Sequence, residues 1–131
     1  MVKMTKCNNN KHYEPFIRRY SNGTTYVLIL WIISKEKIHG YGIMKKLDAF
    51  FAYPIEHGYV KKTSPSKIYP ILNKFEENNL IEGVWDLKTN KKYYEITEKG
   101  EKVLNTIRKA NEKLKSNEHW NEFFNDMKEV K

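Results

Sequence analysis

The spacing of apolar residues changes several times along this chain, and each spacing predicts a different element. Residues 24–34 read TTYVLILWIIS, a β-branched run that periodicity alone cannot divide between buried strand and buried helix. We take it as a helix whose all-round apolar character demands burial on most sides, in the core or partly against a second subunit. After His39-Gly40-Tyr41-Gly42 the spacing turns helical, with Ile43, Leu47 and Phe50/Phe51 interleaved by Lys45, Lys46 and Asp48. Residues 52–63 contain Pro54 and Gly58 and are expected to form a loop. Ser64-Pro65 then opens a helix, because the serine can cap free amides and proline suits the first helical position. At about 100° per residue, Ile68, Ile71, Leu72 and Phe75 share one face of this helix. Ser66, Pro70 and Asn73 lie opposite, flanked by Tyr69 and Lys74. An interior proline removes a backbone hydrogen bond, so Pro70 is expected to kink the helix.

This helix should end near Asn78-Asn79. Leu80–Trp85 reads as a strand, residues 86–91 as a polar turn, and Lys92–Ile96 as a returning strand of aromatic and branched residues. The two strands make a hairpin with Lys88, Asn90, Lys91 and Lys92 at or near its tip. Thr97 can cap a long helix in which Val103, Ile107, Ala110 and Leu114 recur at four, three and four residues, the seam of a helix that packs on another helix; Leu104 borders that seam. Beyond Ser116-Asn117, the group Trp120, Phe123, Phe124 and Met127 breaks the register and predicts a short terminal helix. Trp31, Tyr41 and Trp85 are expected in the core, and of Tyr93 and Tyr94 only one can face it. The expected class is therefore mainly α with a small β-hairpin (α+β): a winged helix-turn-helix with a long C-terminal dimerisation helix. We divide it into an arm (1–22), a winged-helix domain (23–96) and a C-terminal helical dimerisation region (97–131).

Composition sharpens this picture. The 131 residues are 40 % hydrophobic and 14 % aromatic, enough for one folded domain. Lys and Arg outnumber Asp and Glu by 24 to 16, a net charge of +8 that favours a polyanionic partner. Lys3, Lys6, Lys11, Arg18 and Arg19 against Glu14 place half of that surplus in residues 1–22, the expected mobile arm. Between His57 and Phe75 stand Lys61, Lys62, Lys67 and Lys74 with no acidic residue. Cys7 is the only cysteine, so no internal disulfide or paired-cysteine metal site is available. The longest apolar run is seven residues, whereas a membrane-spanning helix needs about 20. With no signal-peptide pattern at the N-terminus, a cytoplasmic protein is expected. His12, His39, His57 and His119 lack metal-ligand spacing, and neither a Gly-rich phosphate loop nor a nucleophile in a recognisable setting appears. No enzyme, no cofactor and no metal are expected; His39 is assigned a structural hydrogen bond at a helix start.

Three stretches narrow the family. Ile38-His39-Gly40-Tyr41, then Ser64-Pro65-Ser66-Lys67-Ile68-Tyr69-Pro70 leading to Leu80-Ile81, then Lys92-Tyr93-Tyr94-Glu95-Ile96-Thr97-Glu98-Lys99-Gly100 resemble the PadR family of transcriptional regulators, over about Tyr26 to Leu114. The resemblance implies a sequence-specific DNA-binding regulator of repressor type, a homodimer whose helix 64–78 lies in the major groove of double-stranded DNA. Ser64, Ser66 and Lys67 would then act at the helix start with the basic pair Lys61-Lys62 before it. Tyr69 and Asn73 would read bases or bind phosphate, and Lys74 would hold the backbone. Lys88, Asn90, Lys91 and Lys92 would set the wing on neighbouring phosphates or in the minor groove. Asn pairs bidentately with adenine, which makes Asn73 the first candidate for direct readout. Ser66-Lys67 departs from the small residue and threonine usual in the family, so operator preference does not carry over from relatives. The resemblance also implies that the C-terminal helices pair, through Val103, Leu104, Ile107, Ala110 and Leu114. Some relatives sense an aromatic or cationic small-molecule effector at the dimer interface. Trp120, Phe123 and Phe124 could line such a ligand pocket or complete a dry dimer core, and we favour the dry core. Two alternatives stay open, a non-specific DNA-coating architectural protein and a winged-helix protein-interaction module.

Overall fold

A computed structural model describes residues 23–131; the arm expected over residues 1–22, with Cys7 and His12, lies outside the described residues. A helix at residues 23–35, α1, leads to a two-residue strand β1 (Ile38–His39), then α2 (Gly40–Phe50), α3 (Ala52–Glu56) and α4 (Pro65–Glu77). Strands β2 (Ile81–Asp86) and β3 (Lys91–Ile96) follow, and α5 (Glu98–Leu114) and α6 (Glu118–Met127) close the chain.

The ambiguous run is a helix, and it is central: Ile29, Ile32 and Ile33 are each at most 1 % exposed. Its burial is one-sided, however: Val27 and Trp31 on the other side remain exposed, and Tyr26, also partly exposed, sets its ring edge-on to Phe75 at 6.1 Å. Ile43 and Leu47 of α2, and Ile68, Ile71, Leu72 and Phe75 of α4, meet α1 in a single core with Ile81, Tyr94 and Leu104. The face expected for α4 is thus the buried one, each side chain contributing about 1.5–3 kcal/mol by leaving water.

Local chemistry explains most boundaries. His39 is the N-cap of α2, its Nδ1 accepting the Gly42 N–H at 3.1 Å; this is the structural hydrogen bond expected of it. Thr97 caps α5, its hydroxyl accepting the Gly100 N–H at 3.0 Å. The cap of α4 differs from expectation. Ser64 holds the N-cap position with Pro65 in the first turn, but its hydroxyl makes no capping bond and pairs instead with the Ser66 hydroxyl at 3.0 Å. α4 runs through Pro70 as one helix of 13 residues. Pro70 and Ser66 are both exposed, so water can satisfy the Ser66 carbonyl that the proline leaves without a donor.

Two expectations are corrected. The loop foreseen at 52–63 contains the helix α3, because Pro54 is its third residue, where a backbone N–H would have no helical acceptor. The hairpin belongs to a three-stranded antiparallel sheet of order β1-β3-β2, with Ile38 opposite Tyr94 and His39 opposite Tyr93. A two-residue strand is too short for any alternation to reveal.

The two ends of the hairpin are anchored to helices. Asn79 takes up the left-handed conformation (φ 59) after α4. There the Asn79 carbonyl accepts the Thr97 hydroxyl at 2.6 Å, and the Asn78 carbonyl accepts the Lys99 ammonium at 2.9 Å. A Cβ on Gly100 would strike the Leu80 carbonyl oxygen, so glycine lets α5 begin against the end of α4. Residues that open α5 thereby satisfy carbonyls left over at the C-terminus of α4.

Candidate nucleic-acid interface

α4 buries one stripe and turns Ser66, Tyr69, Asn73 and Lys74 outward. Two hollows flank that outward face. The first, about 570 Å³, lies at the start of α4 and is lined by Lys61, Lys62, Ser64, Ser66 and Lys67 together with Thr25, Tyr26, Val60, Pro70 and Ile71. Asp48 Oδ1 accepts the Thr63 N–H at 2.8 Å, tying the preceding loop to α2. Partial burial lowers the pKa of Lys67, and the Asp48 carboxylate acts in the opposite sense.

The second hollow, about 520 Å³, opens between α4 and the wing. Tyr69 and Asn73 line it from the helix, and Trp85, Asn90, Lys91 and Lys92 from the hairpin, with His39, Gly40, Tyr41 and Tyr94 between them. Gly40 is needed here, since a Cβ would meet the Tyr69 hydroxyl oxygen; the bare backbone of α2 lets the Tyr69 ring cross it. Behind the groove, burial pushes the Tyr94 phenol up to about 12, with Glu76 and Tyr69 adding to the shift.

The wing is braced to α4 by one ion pair. Lys92 Nζ lies 3.1 Å from Glu76 Oε1, each side chain about 30 % exposed, and the same ammonium sits 5.4 Å from the centre of the Tyr94 ring. Gly83, opposite Tyr94 in the sheet, leaves the passage open: a Cβ there would collide with Lys92 Cε and lie 2.9 Å from Glu76 Oε2.

The structure therefore brings Lys61, Lys62, Ser64, Ser66 and Lys67 together, and Tyr69, Asn73, Asn90 and Lys91 likewise. Lys74 is exposed on α4, lining neither hollow, and Lys88 lies beyond the groove on the outer side of the wing. Lys92, expected at or near the tip, is the second residue of β3 and lines the same groove, where its ammonium pairs with Glu76 and braces the wing to the helix. Leu104 is corrected as well: at 3 % exposure it belongs to the chain's own core, with Val103 and Ile107 packed partly against that core. Ala110 is exposed and Leu114 half-buried. On α6 Trp120 stacks on Phe124 while Phe123 meets both rings edge-on, the three being 43–50 % exposed.

Trp31, Tyr41 and Trp85, expected in the core, are 38 %, 62 % and 60 % exposed. Trp85 and Tyr41 are instead groove residues. Their positions carried a signal: Tyr41 precedes the Ile43–Leu47 stripe, and Trp85 lies at the tip end of its strand, past the region α4 covers. Of the strand pair, Tyr94 faces the core at 2 % exposure and Tyr93 stacks on His39 at 5.3 Å.

Among the described residues no group of three or more His, Cys, Asp or Glu could hold a metal ion, and no helix is long and apolar enough to cross a membrane.

Comparison with known proteins bears on the family and the fold. The sequence model described as the transcriptional regulator PadR-like family matches residues 29–106. Among solved structures, a PadR-like transcriptional regulator from Bacillus cereus is 27 % identical, with a TM-score of 0.61 over 84 % of this chain and 96 % of that one. A PadR family transcriptional regulator from Eggerthella lenta shares the fold at 23 % identity, with a TM-score of 0.61 over 83 % of this chain and 86 % of that one. A protein from Streptococcus mutans is 28 % identical, with a TM-score of 0.54 over 70 % of this chain and 78 % of that one. No curated protein matches the chain.

Proposed function

The chain belongs to the PadR-like family of transcriptional regulators, DNA-binding proteins rather than enzymes, and from that membership we propose that it is a repressor that reads operator DNA as a homodimer. α4 enters the major groove, with Asn73 on a base edge, Tyr69 beside it, and Lys67 and Lys74 on the backbone. Lys61, Lys62, Ser64 and Ser66 receive a phosphate at the helix start. Lys91, Asn90 and Lys88 set the wing on the adjoining strand. The observation that carries this assignment is the groove between α4 and the wing, where Tyr69 and Asn73 face Asn90 and Lys91. Side chains able to read bases share one concave surface there with a cation for phosphate.

Self-association is supported by apolar side chains that stand exposed among the described residues: Val27 and Trp31 on α1, and Trp120, Phe123, Phe124 and Met127 on α6. We assign the α6 rings to dry contact with the second copy and not to an effector cavity. Ala110 and Leu114 extend that contact along α5.

A competition gel shift tests the function. Duplex fragments from upstream regions of the protein's own genome should hold the protein against bulk DNA, by about 10³-fold or more in affinity. Equal competition by bulk DNA would instead identify an architectural protein that coats DNA without preference. Absence of any salt-dependent affinity would identify a protein-interaction module.

A further inference from the structure

The outer end of the wing carries apolar surface that the fold does not use. Residues 87–90 join β2 to β3 in a turn held by two bonds: the Asn90 N–H donates to the Asp86 carbonyl at 2.7 Å, and the Lys88 N–H donates to Asp86 Oδ1 at 2.9 Å. Asn90 adopts the left-handed conformation (φ 58) that closes the turn. Held this way, Leu87 stands 92 % exposed, with Trp85 at 60 % and Val84 at 41 % behind it. Single exposed apolar residues are ordinary. These three adjoin, lining with Lys37 and Lys88 one hollow of about 400 Å³.

Charge and position identify what covers this end. Lys37 and Lys88 line it, Lys91 stands opposite Asp86 in the sheet, and one oxygen of its acid, Asp86, is already engaged by the turn. Trp85 lines both this hollow and the groove beside α4, so the apolar end continues the surface assigned above to DNA. An apolar tip ringed by lysines fits the minor groove of a duplex, where inserted side chains wedge apart a stacked base step and bend the helix.

We propose that Leu87, backed by Trp85, is a wedge that enters the minor groove beside the site read by α4, partly unstacks one base step and bends the duplex toward the protein. The wedge rests on the DNA-binding assignment of the groove. It adds specificity without a base hydrogen bond, because pyrimidine–purine steps unstack most easily and are favoured at the point of insertion. Lys88 and Lys91 hold the flanking phosphates while the step opens.

The test uses the full-length protein and duplexes it enriches from a random-sequence pool, labelled at both ends for energy transfer and with 2-aminopurine at candidate steps. Wild-type protein should shorten the end-to-end distance, consistent with a bend of about 20–90°, and brighten 2-aminopurine at one pyrimidine–purine step. Leu87→Ser should lose both signals and bind about tenfold more weakly, with an unchanged dependence on salt because no phosphate contact is removed. Leu87→Met, still apolar, should keep both. Leu87 lies outside the core, so the variants fold as the parent does. A Leu87→Ser complex bent like the wild type, or a wild-type complex with straight DNA, overturns the wedge and leaves DNA binding standing. Failure to enrich any duplex overturns the DNA-binding assignment itself.

Discussion

Lys92 and Glu76 lie sixteen residues apart and meet at 3.1 Å because position 83 between them has no side chain. The contact ties the wing to α4, and it also neutralises a lysine that lines the groove proposed to meet DNA. Replacing Glu76 with Gln should act on both properties at once. The partly buried pair is lost, and unfolding free energy measured by urea denaturation should fall on the order of 1 kcal/mol. Lys92, released, becomes available to a phosphate in each copy of the dimer, so duplex affinity should rise and the slope of log affinity against log salt should steepen by about two. An unchanged slope would show that Lys92 stays off the DNA even when free. None of this was legible along the chain. Lys92 follows Lys91 at the tip in sequence, and only the register that sets Trp85 opposite Lys92 and Gly83 opposite Tyr94 reveals where it points. The Thr97 and His39 caps were legible, because each acts on an amide three residues away. The three misplaced aromatics have another cause: Trp and Tyr side chains suit a core by composition, and that outweighed the positional signal that Tyr41 precedes its helical stripe and Trp85 stands at the tip end of its strand.

Among elements, α4 was the most legible, since a 3.6-residue stripe of four large apolar side chains has one way to be buried. α3 and β1 were the least, the former hidden by a proline harmless in a first turn and the latter only two residues long. α5 stands between these cases. Its apolar positions form one continuous series in sequence, yet the structure divides them by depth along the helix. Leu104 is buried in the core, Val103 and Ile107 rest partly on it, and Ala110 and Leu114 lie beyond it. A variant aimed at the proposed dimer contact therefore belongs at Leu114, whereas Ile107 would also disturb the monomer. Leu114→Glu should give folded monomers by sedimentation, with native circular dichroism, and should weaken operator binding by at least tenfold, since specific and non-specific affinity differ by about 10³-fold or more. Dimers that persist in this variant would take α5 out of the contact and leave it to the α6 rings or to the exposed residues of α1.

For the whole molecule, the clamp between α4 and α5 matters most. Thr97 and Lys99 hold the carbonyls that end α4, so pairing of two α5–α6 arms would fix the two recognition helices relative to each other. Half-sites should then lie one helical turn of DNA apart, about 34–36 Å, or a multiple of it. The net charge of +8 supplies attraction to any duplex, but only lysines held at the groove release counterions on specific binding. In a dimer each substituted lysine is lost twice, at about 0.9 units of salt slope per contact. Lys67→Ala or Lys91→Ala should accordingly flatten the slope by about two units in the intact protein and by about one in the Leu114→Glu background. The same measurement checks both halves of the proposal: a change of zero takes that lysine out of the interface, and a change of one in the intact protein means that a single copy binds.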